Sequence, residues 1–185
     1  DPKGQHGASV TTYAVTNSLY EDNHAYDIDG RGVNEKVKGK RNTFRNNVFH
    51  NIRGYQGVVL NSNPSSDSTE ICYNLMYDCS GGGIQIGLNG PYVANIFVHH
   101  NTIIGGINFS GVVDQTQSAN INIYANIVSA GTGKPYSIGP MRMVDASGAF
   151  SHYEYPKWFQ TSDPKVKIDG NLIWTTGSFV AGYSW

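Results

Sequence analysis

An all-β solenoid is the fold class this sequence predicts, and three observations predict it. No segment keeps apolar residues at a 3.6-residue period for three turns, so helices have nothing to bury. Asn, Gly, Ser and Tyr are abundant while charged residues make up only 15%, a composition of short strands and bends. Six short segments align on one asparagine, and self-similarity of this kind marks a repeat architecture.

The aligned segments are TYAVTNSLY on Asn17, NTFRNNVFH on Asn47, TEICYNLMY on Asn74, NIFVHHNTII on Asn101, NINIYANIV on Asn126 and VKIDGNLIW on Asn171. Two residues after the asparagine stand Leu19, Phe49, Met76, Ile103, Val128 and Ile173; three before it stand Ala14, Phe44, Ile71, Val98, Ile123 and Ile168. All twelve positions are apolar, which fixes a common register. The asparagines are 30, 27, 27, 25 and 45 residues apart, and the first four intervals are too short for a propeller blade of about 40 to 50 residues. They suit one turn of a parallel β-solenoid, whose inward residues stack on their equivalents about 4.8 Å away in the next coil. A buried asparagine at each bend stacks the same way and satisfies its own amide along the ladder. The chain therefore reads as one domain over 1–185, a parallel β-helix of about six to seven coils. The excess in the last interval marks an aromatic-rich insertion at 146–164.

The formal net charge is −1 and no long apolar run is present. A nucleic-acid partner and a membrane-spanning helix are both disfavoured on that basis. Cys72 and Cys79 leave open either one bridge or two buried thiols. GSFVAGYSW at the C-terminus reads as the start of another strand, so the open ends are expected to be covered by additional coils or by an oligomeric neighbour.

Each asparagine bend is followed by a strand assigned to the next wall: HAYDIDGRG, QGVVLNSN, GGIQIGLNG and GINFSG. The pattern apolar-x-apolar-x-x-Asn-x-apolar, followed by a Gly-bounded strand such as GGGIQIG, resembles the right-handed parallel β-helix of the pectin-lyase-like superfamily. The resemblance covers roughly residues 12 to 175. It implies an extracellular or cell-surface protein that binds polysaccharide, and a substrate groove on that wall. The superfamily spans polysaccharide lyases, glycoside hydrolases, phage tail-spikes and non-catalytic adhesins, among which the fold does not choose. The paired-aspartate and Gly-His-Gly signature of polygalacturonases and the Trp-Ile-Asp-His type motif of pectate lyases are both missing.

Alternation on those strands sends Tyr26, Ile28, Val58, Leu60, Ile84, Ile86, Ile107 and Phe109 inward. It sends Asp27, Asp29, Val59, Asn61, Gln85, Asn108 and Ser110 outward, where repeated amides and hydroxyls can bond sugar hydroxyls. Asp27 and Asp29, about 7 Å apart on one face by strand geometry, suit a Ca²⁺ ion or the acid–base pair of an inverting glycosidase. From Arg31 to Arg53 lie seven of the 13 basic residues, Lys36 and Lys38 among them, a segment suited to a polyuronate or sulfated glycan. Arg31, Lys36, His50, Arg53 and Tyr55 are the candidates for abstracting a proton in a lyase. Trp158 in the insertion offers a face for sugar stacking. His99 and His100, adjacent in a strand, are expected to face opposite ways, which argues against a shared zinc ion.

Overall fold

The computed structural model describes residues 7–61, 65–88, 92–111, 119–130, 138–144, 150–154, 166–175 and 178–181. These residues form strands and bends with no helix, and the strands build three parallel sheets that close into a β-solenoid. Wall A stacks β1 (Ala8–Tyr13), β4 (Arg31–Lys36), β8 (Val58–Asn61), β12 (Ile84–Leu88), β15 (Ile107–Gly111) and β18 (Ile138–Val144). Wall B stacks β2 (Leu19–Glu21), β6 (Thr43–Arg45), β10 (Glu70–Cys72), β13 (Tyr92–His99), β16 (Ala119–Tyr124) and β20 (Val166–Asp169), with β5 (Gly39–Lys40) and β9 (Ser65–Asp67) extending it. Wall C stacks β3 (His24–Ile28), β7 (Val48–Ile52), β11 (Leu75–Cys79), β14 (Thr102–Ile104), β17 (Ile127–Ser129) and β21 (Leu172–Thr175).

The regular coil runs for about four turns, fewer than the six to seven that the repeat count predicts. At the C-terminal end the expected further coil does not continue the parallel stack. There β19 (Phe150–Glu154) pairs antiparallel with β18, and β22 (Ser178–Ala181), the segment expected to begin a new coil, folds back antiparallel on β21. Apart from β19, the aromatic-rich insertion lies outside the described residues.

Inward rows run the length of every wall, and wall A has a second one through Glu35, Leu60, Ile86 and Phe109. Val33, Val58, Ile84 and Ile107 stack on wall A, Phe44, Ile71, Val98 and Ile123 on wall B, and Ala25, Phe49, Met76, Ile103, Val128 and Ile173 on wall C. All of them are buried, because an apolar side chain at the same height in every coil can be covered only by its neighbours above and below.

The asparagine ladder runs along the bend from wall B to wall C. Asn47 donates from its backbone N and its Nδ2 to Asn74 Oδ1 at 3.0 and 2.9 Å, and the same pair of bonds recurs from Asn74 to Asn101, Asn101 to Asn126 and Asn126 to Asn171. The residue before each rung turns the chain. Asp22, Asn46, Tyr73, His100, Ala125 and Gly170 all have φ between 52° and 57°, the left-handed region that non-glycine residues enter only when the surroundings require it.

The ladder's first rung is Asn23, bonded to Asn47 Oδ1 at 3.0 Å, and not Asn17 as the alignment predicts. Asn17 is exposed and pairs with the Lys40–Arg41 corner, and with it Leu19 turns outward while Tyr20 takes the core position. The first coil is 24 residues long, so an alignment at 30 slides its residues onto the wrong corner.

Candidate functional site

HAYDI of the HAYDIDGRG segment lies on wall C, where β3 pairs with β7, and the strand of wall A in this coil is β4, which begins only at Arg31. Asp27 and Asp29 therefore do not share a wall with Gln85, Asn108 and Ser110, contrary to the sequence assignment. Tyr26 also points outward instead of inward, because Asp27 at φ 56° interrupts the alternation: Ala25 faces in, Tyr26 and Asp27 face out, and Ile28 faces in again. The same break recurs at Asn51 and Asp78, so Tyr26, His50 and Tyr77 stack as a ring ladder outside wall C, with centroids 5.4 and 4.8 Å apart.

The two aspartates share Arg53. Its Nε donates to Asp29 Oδ1 at 2.5 Å, its second guanidinium nitrogen stands 3.5 Å from Asp27 Oδ1, and Asn51 Nδ2 donates to that same oxygen. The bond from Arg53 holds the Asp29 carboxyl below the usual carboxylate range and pushes the guanidinium's own pKa further up. One coil position on, Arg31 lies 4.0 Å above the ring of Tyr55. The structure thus gathers Asp27, Asp29, Arg31, Arg53 and Tyr55 at the edge between walls C and A, with a guanidinium where a cation bridging the aspartates would sit.

On wall A, one outward row runs through Asn34, Val59, Gln85 and Asn108 and the next through Tyr13, Lys36, Gly87 and Ser110, with the backbone of Asn61 in register between Lys36 and Gly87. Gln85 Nε2 donates to Ser110 Oγ at 2.7 Å, and Asn108 Nδ2 to the carbonyl of Gly81 at 3.2 Å. Asn34 and Val59 face outward yet are 2% and 1% exposed, so the middle of this wall is covered and a ligand would meet the row closer to wall B. Trp158 lies outside the described residues.

That corner carries the middle of the basic segment, Lys36 to Arg41, while Arg45 lies on wall B and Arg31 and Arg53 at the edge between walls C and A. Lys40 pairs with Asp67, Arg45 with Glu21 and Arg53 with the aspartates. Lys36, Lys38 and Arg41 have no carboxylate partner among the described residues: Lys36 Nζ meets the Tyr13 hydroxyl at 3.3 Å, and Arg41 Nε donates to Asn17 Oδ1 at 2.6 Å. Val37 and Lys38, both near φ 55–60°, form the turn that presents this group. Gly39 follows because a Cβ there would collide with the carboxyl of Glu35 beneath it.

Sequence reasoning missed a second cluster, on the outward face of wall B. Cys72 and His99 are in register on adjacent strands, with Glu70 beside them on the same face. His99 Nε2 is 2.8 Å from Glu70 Oε1, and its Nδ1 is 2.8 Å from Nδ1 of His100. The two histidines do not face opposite ways as strand alternation predicts, since His100 at φ 54° swings its ring back beside its neighbour. Cys72 and Cys79 are free and buried; burial pushes their thiols up to about 11 and about 12, so neither is a nucleophile at neutral pH.

Fold and surface together define a parallel β-solenoid repeat protein with polar and charged clusters on its outward faces and, among the described residues, no helix long and apolar enough to cross a membrane. No family profile, no curated protein and no solved structure matches the chain.

Proposed function

We propose that this chain is a glycan-binding β-helix of the pectin-lyase-like, right-handed kind, working outside the cell or at its surface, and that its ligand is an anionic polysaccharide such as a polyuronate. The observation that carries this reading is the division of the basic segment. Lys40, Arg45 and Arg53 are paired with carboxylates and Arg31 lies over Tyr55, whereas Lys36, Lys38 and Arg41 have no carboxylate partner among the described residues and stand at one corner with Asn17 and with Tyr13, 59% exposed, over whose ring the Lys36 ammonium lies at 5.5 Å. Uncompensated cations next to an aromatic ring and an amide suit a sugar acid, whose carboxylate takes the charge and whose ring and hydroxyls take the rest. The backbone register from Lys36 through Asn61 and Gly87 to Ser110 continues the corner along the solenoid axis, one coil at a time, as an extended chain requires.

The reading is binding ahead of cleavage. A general acid needs a carboxyl that keeps its proton near neutral pH, and Asp29 beside Arg53 is shifted the other way. Arg53, its own pKa raised by Asp29, is no proton acceptor either. A second reading, a non-catalytic scaffold of the adhesin, surface-layer or tail-spike type, is favoured by the exposed apolar side chains Leu75, Ile104, Ile127 and Leu172 outside wall C.

Titration calorimetry with polygalacturonate, alginate, chondroitin sulfate and a neutral glucan tests the proposal. Lys36→Glu combined with Lys38→Glu is expected to weaken the anionic ligands about tenfold or more at low salt, from about 1 kcal/mol per water-exposed contact. The difference should shrink as salt rises, and the glucan should be indifferent. Equal binding by wild type and the double variant rejects the site. Unsaturated uronate appearing during incubation overturns binding without cleavage. No binding to any anionic glycan leaves the scaffold.

A further inference from the structure

We propose that Glu70, Cys72 and His99 form a three-ligand site for one Zn²⁺ ion on the outward face of wall B, with His100 orienting the histidine ligand. The solenoid register places the donors: Cys72 and His99 are paired across β10 and β13, and Glu70 stands two residues before Cys72 on the same face. Glu70 Oε1, Cys72 Sγ and His99 Nε2 all lie within 4.8 Å of one another. A tetrahedral zinc ion with bonds of about 2.0–2.3 Å spaces its ligands roughly 3.3–3.8 Å apart, so small side-chain rotations close the site. The Glu70–His99 contact, now 2.8 Å, must open slightly, and Glu70, with its side chain 42% exposed, has room to move.

The donor set selects the metal. One thiolate, one imidazole and one carboxylate match borderline-soft zinc, whereas Ca²⁺ and Mg²⁺ call for oxygen ligands throughout. Cys72 binds as the thiolate and its proton passes to solvent, after which thiolate and carboxylate together balance the ion's two charges. The other cation of this row, Arg45, is turned to Glu21 by bonds of 2.8 and 2.7 Å.

The surroundings are those of a ligating histidine. Metal at Nε2 leaves the His99 proton on Nδ1, which donates across 2.8 Å to Nδ1 of His100, the outer bond that fixes tautomer and ring plane. Tyr124 stacks on the opposite side of His99 at 4.9 Å and 15°, and Tyr73 meets it edge-on at 6.1 Å. The fourth position opens to solvent past Glu70, where water completes the shell.

The test uses the full chain, stripped with a chelator and titrated first with Co²⁺ and then with Zn²⁺. One Co²⁺ per chain should bind with a thiolate-to-cobalt charge-transfer band, and one equivalent of Zn²⁺ should abolish it. Cys72→Ser should remove the band and weaken Zn²⁺ on the order of 100-fold, and His100→Ala should keep the band but weaken Zn²⁺ about tenfold. Cys79→Ser, and His24→Gln with His50→Gln, should change nothing; the latter pair places two Nε2 atoms 2.8 Å apart outside wall C and controls for a surface two-histidine site. If Cys72→Ser loses its β-sheet circular dichroism, Glu70→Gln and His99→Gln are read for the same loss of Zn²⁺ affinity. A wild-type chain without the band, a band that survives Cys72→Ser, or one lost with His24 and His50 overturns the site.

Discussion

Replacing Asn101 with leucine should destabilise the protein by about 3–5 kcal/mol, several times the effect of the same change at Asn23. Asn101 sits in the middle of the ladder with all its bonding capacity in use. Its Oδ1 accepts from the backbone N and Nδ2 of Asn74, and the two hydrogens of its Nδ2 are shared among the carbonyls of Ile71 and His99 and Asn126 Oδ1. Leucine fills the volume but leaves the Asn74 backbone N–H without its acceptor in a dry interior, at about 1–3 kcal/mol, and takes one bond each from Asn74 Nδ2, which keeps the Phe44 and Cys72 carbonyls, and from the Ile71 and His99 carbonyls, at about 1 kcal/mol per bond. Asn23, at the end of the ladder and only half-buried, donates to Asn47 and to the Glu21 carbonyl. Its loss orphans one acceptor near solvent, so about 1 kcal/mol is expected. Urea unfolding of the two variants measures the gradient; equal losses would mean that the bonds along the ladder do not carry the effect.

The inner rows were legible because the repeat aligns them: Phe49, Met76, Ile103, Val128 and Ile173 occupy one height in successive coils as the spacing predicts. The same alignment, read at the outward positions, also contains the wall B cluster. Two residues before the ladder asparagines stand Glu21, Arg45, Cys72, His99, Tyr124 and Asp169, in register as one row. The first coil resisted reading for a different reason. Left-handed residues such as Asp27 and Lys38 shift which side chains face out, and strand alternation knows nothing of them. Glu35 shows the consequence. In the run RGVNEKVK it looks like one more surface charge, yet it pairs with Leu60 in the inward row and is 1% exposed.

Glu35→Ala should also cost about 3–5 kcal/mol, and Glu35→Gln should separate the carboxyl's charge from its shape. The carboxylate accepts from Asn42 Nδ2 at 2.7 Å, Ser66 Oγ at 2.9 Å and Thr69 Oγ1 at 3.1 Å, so alanine leaves three buried donors and a cavity. Burial raises the Glu35 pKa above its ordinary 4.5 despite those three bonds, which favour the charged form. A carboxyl with a raised folded-state pKa holds its proton in the native chain after the unfolded chain has lost it. Its contribution to stability is therefore greatest below 4.5, falls as pH rises from 4.5 through the folded-state value, and is constant above it. Glutamine has no charge to desolvate, and the Ser66 and Thr69 hydroxyls can turn to accept from its amide. The stability of Glu35→Gln relative to wild type should consequently rise with pH across that window and then level. Unfolding free energies of both proteins from acid to neutral pH measure the difference directly, with the other titrating groups cancelling between them. Parallel pH profiles for the two would show that Glu35 is not the buried titrating group, whatever alanine does at the same position.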